Sequence, residues 1–238
     1  MLKLLFSLII LASTIIPTHA SSLRNFLYPT TQIRWTTIVL DRLKWIYIIK
    51  PSSRELTFSA QWSTAPQLHA KQASWTVLIN AWYFWRDSRW FFPAGQFSMD
   101  PTVIDKSHCE RDANLCGYIF TDWLSIHENL TFTKEPTIAA WPVMMLNGVV
   151  NKAIQQKTSH RTRKTFRTIL IQTKNWPVFI VTKGQFALDR LLAYSVKAFG
   201  RDISVINLDG GSSTTIRTDN PLFQHNGTRR LPTFFILK

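Results

Sequence analysis

A short apolar run that ends in a carboxylate and two glycines constrains this chain more than any other feature. Residues 203–216 read Ile-Ser-Val-Ile-Asn-Leu-Asp-Gly-Gly-Ser-Ser-Thr-Thr-Ile. The β-branched residues Ile203, Val205 and Ile206 favour a buried strand, and Asp209 falls where the backbone must turn. Gly210 and Gly211 carry no Cβ, so the chain there can adopt φ > 0 or approach another group closely. Ser212, Ser213, Thr214 and Thr215 then supply hydroxyls in succession. Taken alone, Asp-Gly is an ordinary turn between two strands. The complete string, behind a buried strand, instead reads as a sugar or phosphate site at the strand's carboxyl end.

The first 20 residues have the form of a secretory signal: Lys3 supplies the charge, 4–16 the apolar stretch, and Thr18-His19-Ala20 the small residues before a cleavage after Ala20. An uncleaved N-terminal anchor is the alternative. The mature protein is therefore expected to be secreted or periplasmic, and no second apolar stretch is long enough for a transmembrane helix. The remaining length suits one domain with its own core. Ten Trp and sixteen Phe against eight Gly describe a folded chain. Lys and Arg outnumber Asp and Glu by 28 to 14, a formal charge of +14. Such an excess favours anionic partners. No nucleic-acid-binding motif is present, and an export signal argues against that class, so a phosphorylated glycan or another anionic carbohydrate is the expected partner.

Cys109 and Cys116 enclose a polar loop. In an exported protein they read as a local disulfide. A metal site would need more ligands than the neighbouring His108 supplies, and an exported thiol nucleophile would compete with oxidation. Asn129-Leu-Thr131 and Asn226-Gly-Thr228 fit the glycosylation pattern.

Residues 32–40 and 43–50 read as two strands joined at Asp41-Arg42, with a further strand over 55–61 and weak helical character over 64–74. Residues 75–80 form a strand that ends on Asn80. The stretch 85–115 reads as an irregular excursion. Residues 141–150 suggest a hairpin turning at Asn147-Gly148. The basic stretch 152–167 reads as a solvated loop. Strands over 168–173 and 177–182 precede a helix over 185–199. Its Leu188, Leu191, Leu192, Val196 and Phe199 recur at helical spacing, and Gly200 suits a C-cap. The whole is an α+β single domain, a mixed sheet with few helices.

Asn207 through Thr215 resembles the Asn-Leu-Asp-Gly-Gly-Gly-Ser-Ser-Thr string of the phosphodiester glycosidase family, with Ser212 at the usual third glycine and Thr214 at a serine. The family's namesake is the uncovering-enzyme reaction, which removes N-acetylglucosamine from a phosphodiester on lysosomal enzyme glycans. Phe166-Arg167-Thr168 is similar to the family's Arg-Thr segment. Asn80-Ala81-Trp82-Tyr83-Phe84 resembles its Asn-Gly-Gly-Phe-Phe element, with Ala81 and Trp82 replacing both glycines. Residues 141–148 and 231–237 resemble further segments, so the likeness spans 32–238. It implies a phosphodiester glycosidase-like domain and an exported hydrolase that cleaves a sugar-1-phosphate phosphodiester.

On that reading Asp209 acts as base or nucleophile, or grips sugar hydroxyls. Arg167 forks the phosphate. Backbone N–H groups of Gly210 and Gly211, with Ser213 and Thr214, form an anion-binding nest. Asn80, Thr168 and Asn207 orient the substrate. Phosphate leaves as a stable anion, so a site with one obvious carboxylate is compatible with the reaction, although a conventional glycosidase shows two; a second could come from Asp87 or Asp100, and nothing in the sequence selects either. No cofactor is required. A divalent cation at Asp209 is an open alternative, with no ligand set visible. The rival class is a non-catalytic secreted glycan- or polyanion-binding module on the same fold. A P-loop is excluded, because the segment lacks the lysine and its spacing.

Overall fold

The computed structural model describes residues 27–33, 36–51, 77–81, 84–86, 91–93, 97–98, 115–120, 124–127, 137–156, 161–228, 231 and 234–237. The signal segment 1–20, the strand expected at 55–61, the helix expected at 64–74, Trp82, Asp87, Asp100, Cys109 and Asn129 lie outside the described residues.

The strands in chain order are β1 (Thr30–Ile33), β2 (Thr36–Asp41), β3 (Ile46–Pro51), β4 (Val77–Asn80), β5 (Phe84–Arg86), β6 (Phe91–Pro93), β7 (Phe97–Ser98), β8 (Gly117–Phe120) and β9 (Ser125–His127). They continue as β10 (Thr137–Ala140), β11 (Val143–Leu146), β12 (Val149–Val150), β13 (Thr168–Gln172), β14 (Pro177–Thr182), β15 (Ser204–Asn207), β16 (Ile216–Arg217) and β17 (Phe234–Leu237). Helices α1 (Lys152–Gln156) and α2 (Leu188–Phe199) complete the α+β fold. No helix among the described residues is long and apolar enough to cross a membrane.

Eight strands form the main sheet in the order β1-β2-β3-β14-β13-β15-β11-β12. Each neighbouring pair is antiparallel. Its centre is covered on both faces, and the period-2 alternation of the strands divides them between two cores. Ile169 and Ile171 of β13, Val178 and Ile180 of β14, and Val205 of β15 pack with Leu188 and Leu191 of α2. Their neighbours Leu170, Phe179, Val181 and Ile206 turn the other way, onto Val77, Ile79, Phe235 and Leu237. Those last four belong to the three-stranded sheet β16-β4-β17. This two-sided burial explains why β14 reads as an unbroken apolar run and is buried at every position.

Helix α2 buries Leu188, Leu191 and Ser195, one stripe at helical spacing. It ends at Gly200, whose φ of 87° only glycine adopts easily and whose N–H donates to the Val196 carbonyl at 3.0 Å. The helix carries the chain from β14 to β15, which lie on opposite sides of β13. At the sheet's end, Asn147 and Gly148 have φ of 46° and 82°, as the tight β11–β12 hairpin requires. Strand β12, the edge there, has 2 residues.

Three expectations change. The strand expected at 32–40 is two: β1 folds back onto β2 with Ile33 opposite Thr36. The stretch 85–115 contains β5, β6 and β7, so it is not irregular throughout. Part of the basic stretch is helical, because Ile154 gives α1 an apolar anchor and Asn151 Oδ1 caps the Ala153 N–H at 2.9 Å.

Phe179 and Phe235 join the two sheets, their ring centroids 5.1 Å apart. Phe179→Ala is expected to cost about 3–5 kcal/mol, measured as a lower urea midpoint with an unchanged slope.

Candidate functional site

The candidate site grows from the end of β15. The Leu208 N–H donates to the Thr168 carbonyl at 2.8 Å, extending the β15–β13 pairing by one residue. The chain then leaves the sheet. Asp209 is buried, and its Oδ1 accepts the Gly210 N–H at 2.8 Å, a local carboxylate-to-backbone bond typical of Asp at turns. Gly210 lies directly on the segment that leads into β13. A Cβ there would stand 2.8 Å from the Phe166 carbonyl oxygen and 3.8 Å from Arg167 Cδ. Gly211 has φ of 64°, and its N–H donates to the same Phe166 carbonyl at 2.8 Å. Asp209-Gly-Gly and Phe166-Arg167 are thus packed against each other.

Arg167 is 8 % exposed. Its amide N–H donates to Thr182 Oγ1 at 2.8 Å, its Nε to the Phe186 carbonyl at 3.4 Å, and its Nη2 to the Arg163 carbonyl at 2.9 Å. The side chain is therefore oriented by the protein before any ligand arrives.

Asn80 closes the arrangement from below. It is 1 % exposed, at the end of β4. Its Nδ2 donates to the Asp209 carbonyl at 2.6 Å, while its Oδ1 accepts from Thr168 Oγ1 at 2.6 Å and from the Thr215 N–H at 2.9 Å. One amide side chain thereby links β4, the start of β13 and both ends of the turn. Asn207 has a comparable internal role: its Nδ2 donates to the carbonyls of Leu208 and Trp141 at 2.7 and 3.2 Å.

Beyond the glycines, Gly211–Ser213 forms a single 3-10 turn, and the Ser213 and Thr214 N–H groups donate to the carbonyls of Gly210 and Gly211. The side chains of Ser213 and Thr214 are fully buried, and neither hydroxyl has a hydrogen-bond partner. A buried hydroxyl left unpaired costs about 1–3 kcal/mol, and here two stand in succession. Ser212, by contrast, is exposed. It is not among the residues with positive φ, so a side chain in place of the usual glycine meets no backbone strain there.

The structure therefore brings Asp209, Gly210, Gly211, Arg167, Thr168 and Asn80 together, with Ser213 and Thr214 on the following turn. It corrects the expected nest: the Gly210 and Gly211 N–H groups point back to Asp209 Oδ1 and the Phe166 carbonyl, not outward to an anion. The hydrogen-bonding groups of Asn80 and Thr168 likewise face inward. Ala81 is a core residue. Cys116 is buried and is not a free thiol. Among the described residues no group of three or more His, Cys, Asp or Glu side chains gathers.

Two further residues border the turn that sequence reading missed. The backbone of His225 pairs with Ile216, and its ring centroid lies 5.3 Å from that of Phe166. Burial, and then the charge of Lys183, hold its imidazole below the ordinary histidine range, so it is neutral at neutral pH. Gly227 passes so close to the turn that a Cβ would stand 2.9 Å from the Thr214 carbonyl oxygen. The only cue to it in the sequence was a glycine after Asn226.

The fold resembles that of a zebrafish N-acetylglucosamine-1-phosphodiester alpha-N-acetylglucosaminidase (NAGPA) catalytic domain, auto-inhibited by pro-peptide. The TM-score is 0.55 at 15 % identity, over 88 % of this chain and 80 % of that one. A hypothetical protein from Synechocystis is similar at a TM-score of 0.51 and 9 % identity, over 89 % of this chain and 61 % of that one. No family model and no curated protein sequence matches. At such identities the likeness is one of fold alone.

Removing the Asn80 amide strands the Thr168 hydroxyl, the Thr215 N–H and the Asp209 carbonyl in the interior. Asn80→Ala is expected to lower stability by at least about 2 kcal/mol, measured by urea unfolding. Asn80→Asp, which keeps the acceptor and loses the donor, is expected to rescue little of it.

Proposed function

We propose that the chain is an exported hydrolase that cleaves a sugar-1-phosphate phosphodiester on a glycan or cell-surface polymer. What carries the reading is the meeting of a buried carboxylate, a buried guanidinium and two unpartnered hydroxyls at one strand end. The likeness in fold to a phosphodiester glycosidase domain supports it. So does the Asp-Gly-Gly string.

In this reading Asp209 is the base. Water attacks the anomeric carbon and gives its proton to the Asp209 carboxylate. The bond from that carbon to the phosphate oxygen breaks, and the electron pair leaves with the phosphomonoester. Positive charge develops on the sugar ring during the step, and a carboxylate beside the ring stabilises it. The Gly210 N–H fixes one oxygen of Asp209, which sets the direction of the other. Arg167, held by two carbonyls, presents its charge to the phosphate.

A panel of sugar-1-phosphodiesters with chromogenic aglycones tests the proposal. Asp209→Ala is expected to lower kcat by about 10²–10⁴-fold with the unfolding midpoint retained; a rate within a few-fold of wild type would remove Asp209 from the mechanism. Arg167→Lys keeps the charge and loses the planar fork, so substrate affinity is expected to fall by about 1–3 kcal/mol. An unchanged KM speaks against contact with phosphate.

A further inference from the structure

A second concave site lies beside α2, away from Asp209. It is a cavity of about 570 Å³ between the β2–β3 hairpin tip, the segment that precedes α2 and the exposed side of α2. Trp45, Phe186 and Tyr194 provide its aromatic surfaces, and Lys44, Arg190 and Lys197 its charges. Among the described residues, no Asp or Glu lines it.

The aromatic surfaces are displayed and held. Trp45 is 50 % exposed, although indole is usually among the well-buried side chains. It has φ of 53°, an uncommon backbone state for a bulky residue. Its carbonyl accepts the Lys183 N–H at 2.7 Å, which pins the hairpin tip in place. Burial, and then the charge of the Asp41 carboxylate, push the pKa of the Tyr194 hydroxyl up to about 12, and Asp41 Oδ1 accepts the Lys44 N–H at 3.1 Å. The Asp41 carboxylate is thus engaged by the hairpin tip, and Asp189 Oδ1 accepts the Arg190 N–H at 2.7 Å. Lys44 Nζ lies 4.7 Å from the Tyr194 ring centroid and Lys183 Nζ 5.3 Å from that of Trp45, so charge sits over ring in both places.

A site of this kind selects a ligand that combines a ring face with negative charge. Aromatic surfaces take the apolar face of a ring, and the cations attract an anionic ligand and repel a cationic one. Its concavity separates it from a surface made to lie on a flat bilayer. The cavity is linked to the Asp209 turn through the backbone. Phe186 forms a β-bridge with Thr165, and Thr165 Oγ1 lies 3.4 Å from where a Gly211 Cβ would stand.

We propose that this cavity is an accessory subsite for an acidic glycan, with a sugar ring against Trp45 and its anionic group against Arg190 and Lys197. The choice of a sugar among ring-bearing anions rests on the hydrolase reading above. A chain of such sugars would pass from the subsite to the turn, so the subsite governs retention of polymeric substrates and is idle with short ones.

Calorimetric titration of the full-length protein with an oligogalacturonate, and with the same oligosaccharide after methyl esterification, tests it. The acidic form is expected to bind at least about tenfold more tightly than its ester. Trp45→Ala, and separately the double variant Arg190→Glu/Lys197→Glu, are each expected to lose at least about tenfold in affinity for the acid. Trp45→Ala is expected to leave turnover of a short chromogenic sugar-1-phosphodiester unchanged. Equal affinity of wild type and both variants overturns the proposal. So does binding of single-stranded DNA or phosphatidylglycerol vesicles as tight as that of the acidic oligosaccharide, or tight binding that appears only after residues 1–26 are removed. Loss of every hydrolytic activity with this selectivity retained would refute the hydrolase reading and keep the subsite.

Discussion

The side-chain amide of Asn80 is the interaction on which the arrangement depends. A turn that leaves a sheet on two glycines has little side-chain packing to define it, so its position must be set by hydrogen bonds. Asn80 supplies them from a different sheet. It holds the carbonyl of Asp209 on one side, and the Thr168 hydroxyl and Thr215 N–H on the other. Because β4 is itself clamped between β16 and β17, the turn inherits the rigidity of two packed layers. Geometry held in this way is organised in advance of ligand binding, which is what electrostatic assistance to a reaction needs.

Much of the fold is legible in the chain because local patterns and tertiary burial agree. The apolar stripe of α2, the Asn147-Gly148 turn and the unbroken apolar runs of β13 and β14 each have one economical solution. What is not legible follows from pairing partners distant in sequence. Residues 32–40 carry β-forming residues throughout, and nothing local separates β1 from β2; their pairing register decides it. Ile154 anchors a short helix in a stretch that reads as solvated charge, since one buried residue among cations is a weak periodic signal.

At the site, the residue types were legible and the directions of their polar groups were not. Asp209, Arg167 and Asn80 converge from three separate segments. A glycine's N–H, however, follows its φ and ψ, and those turned the Gly210 and Gly211 amides inward. Similarly, no spacing rule connects Asn80 with Thr215 or Gly227 with Thr214, because these contacts form only once the two sheets are stacked. Fold similarity at 15 % identity is consistent with this division: buried alternation survives extensive sequence change, whereas the outward-facing groups that choose a ligand can vary freely.

The main sheet closes at one side on β12, only 2 residues long, beyond a hairpin whose Gly148 lies so near Arg201 that a Cβ there would stand 3.1 Å from the Arg201 carbonyl oxygen. An open sheet of eight strands presents two rows of unsatisfied amides, a standing invitation for another copy to add itself. A rim this short offers almost no template for such addition. The basic, aromatic-rich chain thereby acquires a brake on self-association at that border without placing charge inside its core.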